Sequence, residues 1–384
     1  MMKILKRIYV FLDDAFDWLM VRRLRSLEIK KFRFPERRAI YEKIQLTPEQ
    51  SASIDKLYEE NYGRIPHTWH RHFTAFTGHF DEHYFPELLF VPEFEHFMNY
   101  NRAYVDAFSD KNVISALANQ AGIQTPRALL TCSCGSYCVR GEYATYDQAL
   151  SFFANLGEAF IKPSVDSCSG QGCSVVVMHD GVDELSGKGA ETIFAELGKH
   201  FVVQERIRCE KSIADIYPDS VNTFRVITYR WKGEIDAMPV AMRIGQGKAN
   251  VDNAHAGGIF VAVSDEGVLG KTAFTEFNRQ YTRHPDTQAV FEGHKIDGFA
   301  RVLESAKRMH AALPQLGVYH WDFTINEAGE PVLIEANTIG GAVWLPQMAH
   351  GTGVFGDRLP EVLRWIRMMK KLPKSKREPH YFGM

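Results

Sequence analysis

Scarce cysteine, the absence of long apolar runs and a near-zero net charge bound this sequence. Its six cysteines, Cys132, Cys134, Cys138, Cys168, Cys173 and Cys209, fall at irregular spacing and form no disulfide framework. No apolar run suits a bilayer span or a secretory leader: the most apolar early stretch, Ile8 to Val21, carries Asp13, Asp14 and Asp17. The formal net charge is only −2, so the chain as a whole is not drawn to nucleic acid. There is no internal repeat, no low-complexity segment, and no Gly-Lys-Ser/Thr opening a helix as in a Walker A loop. What remains is ordinary globular composition, 45% hydrophobic and 24% charged over 384 residues. That length suits roughly two to three domains, with cores that need no disulfide. The expected location is the cytoplasm.

The near-neutral average hides two basic ends. Residues 1–38 hold eleven Lys or Arg against five Asp or Glu, and Arg364 to Arg377 hold seven basic residues and no acidic one. Two readings stay open for them: a solvated surface, or contact with anionic lipid at the inner membrane face or with a glycan-assembly partner. Residues 1–32 read as a helix, with Ile4, Ile8, Phe11, Leu12, Ala15, Phe16, Leu19 and Met20 at three- and four-residue spacing. It either packs on its own protein or lies on a membrane surface, and the three aspartates count against the second.

Thr47, Pro48 and Gln50 form a capping box with proline at the first helical position, and Gly63 is placed to stop that helix. An aromatic, His-rich stretch runs from Ile65 to Tyr100, and residues 112–121 predict a short helix ending at Gly122. From about residue 125 the texture turns to short β-type runs: Arg127–Thr131, Ala159–Lys162, Ser174–Met178, Phe201–Glu205, Phe224–Trp231, Ala237–Ile244, Ile259–Val263, Val318–Ile325 and Val332–Glu335. Helices are expected at 146–155, 190–199 and 297–312. The class is α+β with an antiparallel bias.

One strand pair carries chemistry. A hairpin turning at Ala328-Gly329 sets Asp322 opposite Glu335, His320 opposite Asn337 and Thr324 opposite Leu333. Because sides alternate along a strand, Asp322, Glu335 and Asn337 share one face, and Trp321, Phe323, Ile325, Val332, Ile334 and Ala336 share the other. Two opposed carboxylates repel; a divalent cation removes the penalty, and two carboxylates with an amide oxygen are a hard-oxygen set that magnesium accepts. The alternative is a solvated polar face in another register. A second feature is the Ser/Gly loop from Ser164 to Gly172, between the strands of Lys162 and Val175. Such a loop offers N–H groups and hydroxyls to an anion, and Lys162 adds a compact positive charge. Alone it reads more readily as an ordinary hairpin turn.

The order of these pieces is more specific than any one of them. Lys162 and its loop come first, then Phe201 to Glu205, then arginine-bearing strands, and last Asp322, Glu335 and Asn337. Residues from about 105 to 345 resemble the ATP-grasp superfamily, in particular its sugar-transfer-associated branch, related to the α-L-glutamate ligases. The branch-specific parts are Ser220 to Val226 and Arg243 through Asn250 to Gly258, with an earlier stretch from Trp69-His70 to Phe85-Pro86-Glu87. The resemblance implies two α+β subdomains clasping ATP: residues 101–205 with the phosphate loop and 206–350 with the metal site. A mainly helical region, 1–100, precedes them, and a basic C-terminal helix and tail, 351–384, follow.

It also implies roles. Lys111 and Lys162 contact ATP phosphates, and the loop, with Ser167, Ser169 and Gly170, closes over them. Gln204 and Glu205 mark the strand that meets adenine, largely through backbone groups. Asp322, Glu335 and Asn337 hold magnesium or manganese. Arg225 and Arg243 face the γ-phosphate or the substrate's acidic group, with Asn253 completing the catalytic set. The acidic residue expected on the ribose has no clear counterpart; Glu210 and Asp215 are unranked candidates. The implied activity joins a carboxylate to an amine through an acyl phosphate, on a uronic acid or amino acid of surface polysaccharide biosynthesis. Two alternatives stand beside it: phosphorylation of a hydroxyl, and a non-catalytic nucleotide-binding adaptor of glycan enzymes. The His67, His70, His72, His79 and His83 cluster fits packing or substrate contact better than zinc, and Cys132, Cys134 and Cys138 read as free buried thiols.

Overall fold

The computed structural model describes residues 2–165, 172–247, 252–341 and 343–384. Ser167, Ser169 and Gly170, expected on the phosphate loop, and Cys168 lie outside the described residues. Among the described residues the strands form two antiparallel sheets joined by the segment after Gln204.

The smaller sheet runs, in spatial order, Glu142–Ala144, Ser136–Val139, Ala128–Ser133, His200–Gln204, Gly157–Pro163, Ser174–His179 and Val182–Asp183. Helices Tyr146–Ala154 and Ala190–Leu197 bury Phe153, Ile193 and Phe194 against Leu130, Ile161 and Val203 of that sheet. Thr145 opens the first of them with a capping box to Gln148, satisfying two otherwise orphan N–H groups.

The larger sheet runs Gln280–Tyr281, Leu269–Phe274, Ile259–Val263, Val240–Ile244, Thr223–Trp231, Val318–Ile325 and Pro331–Asn337, with Glu234–Ala237 pairing beside Thr223–Trp231. The run expected as one strand over Ala237–Ile244 is therefore two. Pro239 lies in the break, where it has no N–H to give a ladder.

Alternation along the central strands sorts the sheet's two faces. Phe224, Val226, Tyr319, Trp321 and Phe323 point to one face and are buried with Val302, Ala306 and Met309 of the helix Phe299–Ala312. The opposite face is shared between two tenants. Ile227, Tyr229, Trp231 and Val318 pack under Phe90, Phe94 and the C-terminal helix Leu359–Lys371. Next to them on that same face, Thr223, Arg225 and Asp322 are left for a cleft. The N-terminal region is thus part of the same body as the sheet, contributing the layer that ends where the cleft begins. The expected Thr47 capping box is present on the helix Pro48–Asn61. Helices Thr68–Thr77 and Trp344–His350, which periodicity did not announce, pack on each other beside Phe260 and Phe274.

Candidate active site

A cleft of ≈ 540 Å³ lies between the two sheets. The smaller sheet lends it Phe160, Lys162, Val175 and Gln204; the larger lends it Arg225, Arg243, Asp322, Glu335 and Asn337; the segment Glu205 to Cys209 crosses between them.

Arg225, Asp322 and Glu335 stand directly opposite one another in one row across three strands. The expected register therefore holds at His320–Asn337 and Asp322–Glu335, but not beyond. A β-bulge shifts it by one, so Thr324 faces Val332, and Leu333 rather than Val332 and Ile334 joins the Trp321 side. The extra residue is Ile334, whose carbonyl accepts a hydrogen bond from Lys162 Nζ at 3.2 Å across the cleft. Bulges re-aim backbone groups in this way beside functional sites.

The repulsion expected between Asp322 and Glu335 is relieved within the chain itself. Asp322 and Glu335 are opposed, but cationic side chains already compensate them. Arg225 binds Asp322 edge-on, Nε to Oδ1 at 2.6 Å and Nη2 to Oδ2 at 3.1 Å. Arg243 Nη2 adds 3.0 Å to the same Oδ2. Lys111 Nζ lies 3.1 Å from Glu335 Oε1. Burial pushes the Asp322 carboxyl up, but the two guanidinium groups outweigh it and hold the group below its usual range. Arg243 is itself fixed by Thr223 Oγ1, 2.7 Å from Nη2, by Asn253 Oδ1, 3.2 Å from Nη1, and by Asp252 at 3.4 Å. Asp252, buried and pushed up by that burial, accepts from both the N–H and the hydroxyl of Thr223.

Lys111 and Lys162 come to the cleft from different elements. Asp110 caps the helix Lys111–Gln120 through the Asn112 N–H at 2.8 Å, which sets Lys111 at the helix start. The Lys111 N–H donates to the Ser164 carbonyl at 3.0 Å, tying that helix to the end of the Lys162 strand. Burial, and secondarily Lys111, lower Lys162 to about 8 against the pull of Glu335. The cleft thus gathers Lys111, Lys162, Arg225 and Arg243 against Asp252, Asp322 and Glu335. With Arg206 and Arg208 against Glu205, Asp219 and Glu327 added, the whole lining is balanced in formal charge, and an anion would have to meet the four named cations locally.

Gln204 is buried at the cleft with its amide on the Pro126 carbonyl at 3.3 Å. The Glu205 carboxylate turns back onto the Arg127 N–H at 3.1 Å. Neither Glu210 nor Asp215 lines the cleft. Glu210 caps a short helix through Ser212, and Asp215 pairs with Lys211. Asp219 and Glu327 do line it. Sequence reasoning also passed over Thr223 and Asp252, although both lie in the branch-specific runs, and over Glu95. The Glu95 carboxylate reaches His320 Nε2 at 2.9 Å and the N–H groups of Gly340 and Gly341 at 2.7 and 3.2 Å. It thereby holds two residues of the cleft wall.

Whether a divalent cation fits depends on what these donors have left. A carboxylate offers about four acceptor positions, and three guanidinium N–H groups already approach Asp322. Glu335, with 30% of its side chain exposed, and Asn337, also in the cleft, are the more open oxygen donors. Such a partial hard-oxygen set suits magnesium, which normally keeps water and phosphate ligands.

The histidine stretch takes the packing role. His70 and His72 are buried among aromatic rings, lowered by that burial to about 4 and about 3. His67 and His83 pair with Asp55 and Asp81, and His79 bonds the Gly351 carbonyl. Cys132, Cys134 and Cys138 are free thiols, but only Cys132 is buried as expected; Cys138 is half-buried, and Cys134 is exposed on the turn between two strands.

Residues 90–362 match the family model described as sugar-transfer associated ATP-grasp. The chain belongs to that family. Its fold is accordingly an ATP-grasp fold with an added helical N-terminal region. No curated protein matches the sequence. Among solved structures, the D-Ala:D-Ser ligase VanG of Enterococcus faecalis is 16% identical over 69% of this chain and 62% of its own, TM-score 0.40. The D-alanine–D-alanine ligase of Bacillus anthracis is 17% identical over 69% of each chain, TM-score 0.39. An N5-carboxyaminoimidazole synthetase from Staphylococcus aureus complexed with ADP is 10% identical over 61% of this chain and 46% of its own, TM-score 0.37. The chain spans from about half to somewhat over two thirds of the length of these structures.

Proposed function

We propose that this protein is a Mg-ATP-dependent carboxylate–amine ligase acting through an acyl phosphate, on an acidic sugar or amino acid of surface polysaccharide biosynthesis. The observation that carries the proposal is the row Arg225–Asp322–Glu335 facing Lys162 across one cleft. Membership of a family whose model is named for sugar transfer supports the substrate class.

In this reading the nucleotide lies between the sheets with its base along Gln204 and Glu205 and its phosphates toward Lys111 and Lys162. The Lys162 ammonium is desolvated before nucleotide arrives, so a phosphate oxygen there gains a strong, preorganised partner. The two arginines, held in place by Asp322, Asp252, Thr223 and Asn253, face the acidic substrate without reorganising. A substrate carboxylate oxygen attacks the γ-phosphorus, the bond to the bridging oxygen breaks, and ADP leaves. An amine nitrogen then attacks the acyl carbon, the bond to the phosphate oxygen breaks, and phosphate departs as the nitrogen loses a proton. Arg243 steadies the oxyanion of this second step. Glu335 and Asn337, with the remaining acceptor position of Asp322, would hold magnesium or manganese, which would neutralise charge on the phosphate oxygens.

The test is ADP release over a panel of uronic acids, nucleotide-linked uronic acids and amino acids, with hydroxylamine as trap. Hydroxamate forms from an acyl phosphate and supports the ligase. ADP release with a hydroxyl acceptor and no hydroxamate replaces the ligase with a phosphotransferase. Nucleotide binding with no turnover on any acceptor replaces both with the adaptor.

A further inference from the structure

The N-terminal helix Met2–Lys31 is unevenly used. Ile8, Phe11, Leu12, Phe16, Trp18 and Leu19 are each 51–71% exposed. At 3.6 residues per turn they fall within roughly 160° of the circumference. They make an apolar stripe along one side of the helix, and such a patch rimmed by polar residues marks an interaction surface.

The aspartates that interrupt this stretch in the sequence do not interrupt the patch, because each is turned toward the body. Asp13 pairs with Lys374 at 2.9 Å and Asp14 accepts from the Ser375 N–H at 3.1 Å. Asp17 is buried, pairing with His96 at 2.7 Å and Arg377 at 2.6 Å. Glu28 is buried as well. The exposed charged residues of the helix are instead basic: Lys6, Arg7, Arg22, Arg23, Lys30 and Lys31. The Arg22 guanidinium sits 4.3 Å over the Trp18 ring. No described helix is long and apolar enough to cross a membrane.

We propose that this outward face docks on an anionic lipid surface, lying in the interface plane. An apolar stripe flanked by Lys and Arg, with its acids withdrawn, has the charge complementarity such a surface requires. A tryptophan with a neighbouring arginine suits the headgroup boundary. The proposal stands independently of the reaction catalysed in the cleft.

Trp18 supplies a direct probe, since Trp69, Trp231, Trp321, Trp344 and Trp365 are all buried. The full chain is mixed with phosphatidylcholine vesicles, with and without a third phosphatidylglycerol. Co-sedimentation and quenching of tryptophan by bromine-labelled acyl chains are then read. Binding to the anionic vesicles, quenching that disappears in Trp18→Phe, and weakening in high salt are expected. Replacing Phe11, Phe16 and Leu19 by serine weakens partition at least about tenfold with an unchanged circular dichroism spectrum, because these side chains are exposed. Arg22→Glu with Arg23→Glu weakens it too. Absence of binding overturns the proposal, as does equal binding to neutral and anionic vesicles. Self-association of the chain that is lost in the triple serine variant overturns it in favour of a second copy covering the face.

Discussion

Arg225 and Asp322 meet edge to edge across adjacent central strands, two hydrogen bonds at 2.6 and 3.1 Å, with both side chains buried. Arg243 closes on the same carboxylate from the next strand over. The clamp therefore draws on three strands and fixes two cations at the cleft. Replacing Asp322 by alanine leaves both guanidinium groups without their shared partner, and unfolding in urea should show a loss of about 3–5 kcal/mol. A loss below about 1 kcal/mol would show that the arginines find other partners.

The lowered Lys162 gives a pH signature. Its folded pKa of about 8 lies below the usual 10.5, so between those values the unfolded chain binds more protons than the native one. Stability of the nucleotide-free protein should rise as pH climbs through that window, while below about 8 the full penalty of the buried ammonium is present. An arriving phosphate raises the lysine again, so nucleotide binding near pH 8.5 (about half a unit above that value) should take up protons. Calorimetry in buffers of different ionisation enthalpy reads this uptake, and Lys162→Met should abolish it.

Glu87 acts with the opposite sign. Burial, reinforced by Glu28, raises it to about 7, and neither carboxylate oxygen has a hydrogen-bond partner. Between its usual 4.5 and about 7 the native state holds the extra proton, so its contribution to stability is lost as pH rises through that window. Glu87→Gln should flatten that dependence and raise stability at pH 8 by about 1–3 kcal/mol. Thermal melts across pH 5 to 8 compare the two proteins.

Gly341 tests the packing behind the cleft wall. A β-carbon there would meet the His320 ring at 1.9 Å, and that ring is held by Glu95 at 2.9 Å. Gly341→Ala should displace the pair and lower stability by more than about 2 kcal/mol. ATP turnover should fall with it, because Gly341 lines the cleft. An alanine variant with native melting and native turnover would remove Glu95 and His320 from any positioning role.

The sequence was most legible where chemistry is local. The capping box at Thr47 is present as read, and the strand alternation that puts Asp322 and Glu335 on one face survives in the structure. The bulge at Ile334 was not legible, because Val332, Leu333 and Ile334 are all apolar and accept either register. The arginine clamp was not legible either. Arg225 and Arg243 meet Asp322 only once the strand order is known, and that order is a tertiary property. The N-terminal helix illustrates a third limit: the sequence shows aspartates among apolar residues but not which way they point. Their partners Lys374, Ser375 and Arg377 lie some 360 positions away.

In the proposed reading the cleft binds nucleotide together with a metal that rests chiefly on Glu335. The most direct measurement is the affinity of purified protein for ATP, by calorimetry, with magnesium and with a chelator, for the native chain and Glu335→Gln. Glutamine keeps the size of the side chain and removes the charge. The native chain is expected to bind ATP with magnesium and to lose at least about tenfold in affinity on chelation, a difference of 1.4 kcal/mol or more. Glu335→Gln should lose most of that magnesium response while its melting temperature stays close to native. An unchanged magnesium response in Glu335→Gln, or a native chain that binds no ATP, would overturn the metal and nucleotide assignment.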